Sequence, residues 1–140
     1  MATQIGNRTA QNSAVTNGQK HMLNLVDCDV HPYVNSISEL TPYIPARWRS
    51  WIEQTGYKGP SDPVYPKVFE LASRRDAWPP SGLRPGGDPQ FAAEQLLDEW
   101  SIDVAILNNL YGLSSIKNHH LARELTLGVN RWLQEHWLDS

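Results

Sequence analysis

The chain is predicted to be an α/β protein built on parallel strands, and three observations lead there. An apolar segment at residues 23–30 ends in a carboxylate, an imidazole and a proline. A second segment, Asp103 to Leu107, is nearly all apolar after its first residue, the pattern of a parallel strand covered on both faces. Segments with helical spacing lie between the two strands and after the second. Strand, crossover with a helix, strand and helix make a βαβ unit followed by one more helix.

Residues 1–22 are polar, rich in Asn, Gln, Thr and Gly, and without period; they are expected to form a disordered tail. Met22, directly before the first strand, is a candidate start. In the strand Leu23 to Val30 side chains alternate between faces, so Asp27, Asp29 and His31 share one face and Val26, Cys28 and Val30 the other. Acids and an imidazole on a buried strand need a partner, and a divalent metal suits both a carboxylate and a neutral imidazole. The alternative is a strand end that reaches solvent, with Asp29 capping a turn and His31 exposed. Cys28, on the opposite face, is expected to pack.

A short helical turn at Ser38-Glu39-Leu40 is broken by Pro42 and Pro45. Trp48, Trp51 and Ile52 mark a helix over Arg47 to Gln54, stopped by Gly56. Residues 56–87 hold most of the prolines and glycines and form a long irregular excursion, with one helical turn near Val68 to Ser73. Excursions of this length are commonly functional. A lid or substrate wall is one role for it, and a subunit contact another. Arg74, Arg75 and Arg84 within it could meet a substrate carboxylate or serve as ordinary surface charge. A helix follows at Asp88-Pro89, an N-cap and a first-turn proline, with Phe91, Leu96, Leu97 and Trp100 as its apolar stripe.

Asn108 to Gly112 follow the second strand; Asn108 and Tyr111 are candidate substrate-binding residues, the alternative being plain turn geometry. The segment Ser115 to Leu138 is an amphipathic helix whose face is Leu121, Leu125, Val129, Trp132, Leu133 and Trp137. His119 and His120 are adjacent on it, point about 100° apart and are expected at the surface. His21 and His136 carry no assigned role.

Composition removes several classes. The net charge of −3, with both signs interspersed, gives no electrostatic case for nucleic acid or anionic membrane. One cysteine excludes an internal disulfide and suits a reducing, cytoplasmic setting. No apolar run approaches the roughly 18 residues of a membrane span, and the N-terminus has no apolar signal core. Repeats, a Gly-rich phosphate loop, CxxC and a nucleophile elbow are absent from the sequence.

The opening Asp27-Cys28-Asp29-Val30-His31-Pro32 resembles the first strand of the amidohydrolase superfamily, in the branch that includes aminocarboxymuconate semialdehyde decarboxylase. Residues 40–48, 103–108 and 118–139 resemble the segments that follow in that branch, so the likeness covers nearly all of residues 23–140. It implies the N-terminal part of a metal-dependent (β/α)8 TIM barrel, about two βα units, incomplete on its own. A whole barrel runs to about 250 residues. It also implies that Asp29 and His31 are metal ligands, with Asp standing where His is commoner. The implied ion is Zn²⁺, and the oxygen ligand brings in Mn²⁺ as an alternative. The remaining ligands would come from later strands. Both the excursion and the residues after the second strand would lie at the catalytic, C-terminal face.

The implied chemistry is hydrolysis, hydration or non-oxidative decarboxylation of a small carboxylic acid by metal-activated water or a metal-polarised carboxylate or carbonyl. The implied partners are further copies of the chain, or another chain that completes the barrel. The competing expectation is a catalytically incomplete fragment or pseudo-enzyme that docks on a partner subunit. A small α/β domain with another task is the third.

Overall fold

Two short strands, β1 (Val26–Val30) and β2 (Val104–Leu107), pair in parallel in the computed structural model, which describes residues 25–60 and 73–139. The tail at 1–22, the start of the first strand at 23–24 and nearly all of the helical turn expected near Val68 to Ser73 lie outside the described residues.

The pairing is opened by Asp103, whose main-chain N–H donates to the Leu25 carbonyl at 2.9 Å while its carboxylate accepts from the Leu25 N–H at 2.8 Å. Val26 then lies opposite Val104 and Asp27 opposite Ala105. The next partners are Val30 and Leu107, so β1 advances three residues where β2 advances two. The extra residue is accompanied by a local bond, Asp29 N–H to Asp27 Oδ1 at 3.0 Å. Strict alternation through Asp27, Asp29 and His31 therefore does not hold; a bulge re-aims the side chains beyond it.

The described residues between the strands include two α-helices. Two 3₁₀ turns, Ile37–Glu39 and Thr41–Tyr43, precede the first; Pro42 lies inside the second of these turns rather than only ending a helix. Helix α1 (Ala46–Thr55) begins after Pro45 and stops at Gly56, whose N–H returns to the Ile52 carbonyl at 2.9 Å. Helix α2 (Pro89–Ala93) is capped by Asp88, whose Oδ1 accepts from the Phe91 N–H at 3.1 Å and whose Oδ2 accepts from the Ser81 hydroxyl at 2.6 Å. The helix expected to run on to Trp100 widens into a π turn at Glu94–Glu99.

Helix α3 (His119–Leu133) starts later than its apolar period suggests. Asn118 Oδ1 accepts from the N–H groups of His120 and Leu121 at 3.1 and 3.2 Å, which fixes the first turn there. Residues Leu113–Ser115 form a separate 3₁₀ turn, and Gln134–Leu138 extend the helix as a π turn.

The core lies between α3 and the segment from Val34 to Ile52, not on the sheet. Leu40 and Leu125 are fully enclosed, and Ile44, Val129, Trp132 and Trp137 close around them. Gly128 lets the two layers approach, since a Cβ there would stand 2.9 Å from Ile44 Cγ2. At the edge of this contact the Tyr43 hydroxyl donates to Glu135 and lies 3.1 Å from His136 Nε2, and Arg131 Nη1 donates to the Tyr43 carbonyl at 3.0 Å. His136, without a role in the sequence, thus packs by its ring against Trp132 and Tyr43.

Two expectations are corrected here. β1 is not a buried strand: Val26 is 43% exposed and Leu25 54%. Cys28 is exposed rather than packed. The physical reason is common to both, because β2 is the only strand beside β1 among the described residues and little packs on its faces. In β2 itself Ala105 is buried and its neighbours are half-buried. No helix of the described residues is long and apolar enough to cross a membrane.

Truncating Leu125 to Ala should cost about 2–5 kcal/mol of folding stability in urea titration, the range for a fully enclosed leucine. A pH effect follows from Asp88. The Ser81 hydroxyl and then the Phe91 N–H hold its carboxyl below the usual value. A depressed folded value means stability that is whole above the ordinary carboxylate range and lost as pH falls through the folded value. The stability gap between the parent and Asp88→Asn should accordingly narrow on acidification, as read from urea midpoints across the acid range. A gap that does not change with pH would rule out this linkage.

Candidate metal centre

The parallel pairing places the ends of β1 and β2 side by side, so His31 and Asn108 meet although 77 residues separate them. Asn108 extends the ladder by one bond, its N–H donating to the Val30 carbonyl at 2.7 Å. Its own carbonyl lies 2.8 Å from His31 Nδ1. A carbonyl oxygen can only accept, so this contact requires the proton on Nδ1 and leaves the Nε2 lone pair of a neutral ring free.

Nε2 is turned toward Asp29, 3.5 Å from Oδ2. That is long for an N–H···O hydrogen bond, which falls at about 2.7–3.2 Å. It is close to the separation of two ligands on one tetrahedral zinc, roughly 3.4 Å from bonds of about 2.0–2.2 Å. The other Asp29 oxygen receives Asn108 Nδ2 at 3.4 Å, a weak contact that leaves Oδ2 available. The Asp29 side chain is 72% exposed and that of His31 35%, so an ion can reach both from solvent.

The donor set therefore fits a divalent cation in the character and spacing of two ligands. It is incomplete: among the described residues no three His, Cys, Asp or Glu side chains gather to hold a metal ion. Asp27 does not join the pair, and its Oδ1 accepts from the Asp29 N–H at 3.0 Å.

The remaining candidates fall in different places. Asn108 joins Asp29 and His31, touching the first with its side chain and the second with its main chain. Tyr111 packs on the core, and its hydroxyl faces Gly59, where a Cβ would stand 2.6 Å away. That hydroxyl is buried without a hydrogen-bond partner among the described residues, and burial drives its ionisation far above the usual tyrosine value. His119 and His120 are exposed. Arg74 pairs with Asp76 and lies over the Trp100 ring, along an open groove of about 520 Å³ on α2 and the turn after it. Arg84 donates to the Tyr33 hydroxyl and lies over that ring, 5.3 Å from its centroid.

Residues not singled out in the sequence hold the segment after His31. Asn109 Nδ2 donates to the Pro32 carbonyl at 2.9 Å, and its Oδ1 accepts from the Tyr111 N–H at 2.9 Å. From the excursion, the Gly86 carbonyl accepts from the Tyr33 N–H at 2.6 Å and the Gly87 carbonyl from Asn35 Nδ2 at 3.1 Å. The Gly86-Gly87 pair was a visible signal for unusual backbone, but nothing local says what that backbone packs against.

No protein-family profile matches this chain, and no curated protein does.

Replacing Tyr111 by Phe removes a buried hydroxyl that has no partner among the described residues. Stability should hold or rise, by up to about 1–3 kcal/mol, the usual cost of such a group. A clear loss of stability on urea titration would mean that the hydroxyl is bonded.

Proposed function

We propose that this chain supplies the first two βα units of a metal-dependent enzyme of the amidohydrolase type. Asp29 and His31 are two ligands of a divalent ion, Zn²⁺ with Mn²⁺ as the alternative. One observation carries this: His31 Nδ1 is committed to the Asn108 carbonyl at 2.8 Å, which turns Nε2, with the free lone pair of the neutral ring, toward the Asp29 carboxylate. Metal-bound histidines are typically fixed in this way through the other ring nitrogen.

Such an ion, when bound, activates a water or polarises a carboxylate or carbonyl of a small carboxylic acid, leading to hydrolysis or non-oxidative decarboxylation. Asp29 and His31 hold the ion, and Asn108 orients both of them. Asn108 is the candidate for substrate contact at this end of the sheet. Tyr111 follows it in sequence, but its hydroxyl is buried on the core and would reach a substrate only if the chain around Gly59 moved. Further ligands come from outside the described residues, since a catalytic zinc needs about three from protein. A cytoplasmic setting is part of the proposal, supported by the single free cysteine.

The experiment is titration of the full chain with Zn²⁺ by calorimetry, beside Asp29→Ala and His31→Ala. The parent should bind, and each variant should lose the binding. Equal uptake by all three would remove the ligand assignment.

A second reading has an observation of its own. Parallel sheets are normally covered on both faces, yet among the described residues this one has two strands, with Leu25 exposed just before β1, Val26 exposed on it and Trp100 exposed before β2. That surface suits an interaction module that docks on further copies of the chain or on a partner subunit. Hydrodynamic mass measured with and without Zn²⁺ separates the two. A compact oligomer with stoichiometric metal is the outcome for a reassembled barrel, and a metal-free oligomer that ignores Zn²⁺ is the outcome for a docking module.

A further inference from the structure

The segment after β1, His31 to Ser36, belongs to no helix or strand, yet Pro32 and Val34 are buried. It is gripped from two sides. The loop after β2 holds one side, through the Asn108 carbonyl on His31 Nδ1 and Asn109 Nδ2 on the Pro32 carbonyl. The excursion holds the other, through a turn at Arg84–Gly87 closed by the Gly87 N–H to the Arg84 carbonyl at 2.8 Å.

Gly86 is the point of closest approach. Its φ is +75°, and a Cβ on it would stand 2.2 Å from the His31 carbonyl oxygen, 3.4 Å from its carbon and 3.5 Å from the Tyr33 nitrogen. These are main-chain atoms and cannot rotate away, so any side chain at 86 must move either the turn or the backbone of His31. The Gly86 carbonyl also takes the Tyr33 N–H. Asn35 anchors the same turn, donating to the Gly87 carbonyl and accepting from the Arg84 N–H at 3.4 Å.

We infer that Gly86 is a positioning residue for the candidate metal pair. By seating the turn of the excursion directly on the His31 carbonyl, it fixes the backbone from which the imidazole reaches both the Asn108 carbonyl and Asp29. The inference rests on Asp29 and His31 being metal ligands, and it brings the excursion into the site through its backbone rather than through a charged side chain.

Gly82 provides the control. Its φ is +78°, nearly that of Gly86, but a Cβ there meets nothing within 4 Å. Gly82→Ala carries the left-handed strain without the collision; Gly86→Ala carries both. Two readouts are taken on the full chain. One is the ¹⁵N spectrum of the His31 ring nitrogens without metal, which reports the tautomer. The other is Zn²⁺ affinity by calorimetry. In the parent and Gly82→Ala, Nδ1 should carry the proton. In Gly86→Ala the tautomers should mix, and Zn²⁺ affinity should fall by roughly 10–100-fold, the scale on which partners of metal ligands act.

A Gly86→Ala protein with the parental ring spectrum and an affinity no weaker than that of Gly82→Ala would overturn the inference. If the parent itself takes up no Zn²⁺, the metal assignment fails, while the ring spectra still decide whether Gly86 positions His31. If Gly86→Ala does not fold, Asn35→Ala loosens the same turn without touching a glycine. It should shift the tautomer in the same direction by a smaller amount, and an unchanged spectrum in that variant would overturn the inference equally.

Discussion

The parallel pairing of β1 with β2 is the constraint on which the candidate site depends. Parallel strands end at the same edge of a sheet, so the residues that leave them emerge together whatever length of chain lies between. Here that rule brings His31 to Asn108. The main-chain bond from Asn108 N–H to the Val30 carbonyl sets the height of the β2 end against β1, and the next carbonyl along then falls opposite the imidazole. Without the pairing, Nδ1 would have no fixed acceptor and the ring no fixed tautomer. The bulge between Asp27 and Val30 belongs to the same device. By taking up one extra residue on β1, it allows the two strands to finish level.

How much of this was legible in the sequence can be argued from particular residues. Asp29 and His31 stand out because their chemistry is unusual for a strand end, and their identity alone suggests an ion. Period-two alternation also grouped them, but it grouped Asp27 with them, and the bulge breaks that series. Bulges arise from pairing between distant segments and leave little local trace. The helices were located by their apolar spacing, while their ends were set by side chains that a periodic pattern does not weigh. Asn118 delays the start of α3 by capping its first turn, and the π turns after Ala93 and Leu133 change the pitch without changing the pattern. Burial was the hardest to foresee. An apolar strand implies a covering layer, and the chain carries the apolar residues of β1 with no such layer among its described residues.

The two halves of the structure are held by different means. Around Leu40 and Leu125 the packing of α3 on the turns is that of an ordinary core, and it encloses its side chains completely. The sheet lies to one side and is held largely by main-chain hydrogen bonds, with the Asp103 carboxylate and the Asn109 amide reinforcing its two ends. Hydrogen bonds of this kind each contribute about 0.5–1.5 kcal/mol net, much less than the burial of a large side chain. Order at the site therefore comes from local hydrogen bonds as well as from the core, which the site meets through Val34 and Leu107. The local part comes from the contacts that meet on His31, Pro32 and Tyr33.

That division bears on how the site would gain its remaining parts. If Asp29 and His31 hold an ion as proposed, a third ligand would approach them from the open side, over a carboxylate that is 72% exposed. Further βα units beside β1 or β2 would bring helices that cover Leu25 and Val26, and strands that bring side chains to the same edge. One act of assembly would thus bury the exposed sheet and complete the coordination of the ion. Burial would also exclude water from around the pair, where the attraction of a carboxylate for a cation is strongest. On the proposed reading, the exposure of β1 and the incompleteness of the donor set are a single property, and a partner that removed one would remove the other.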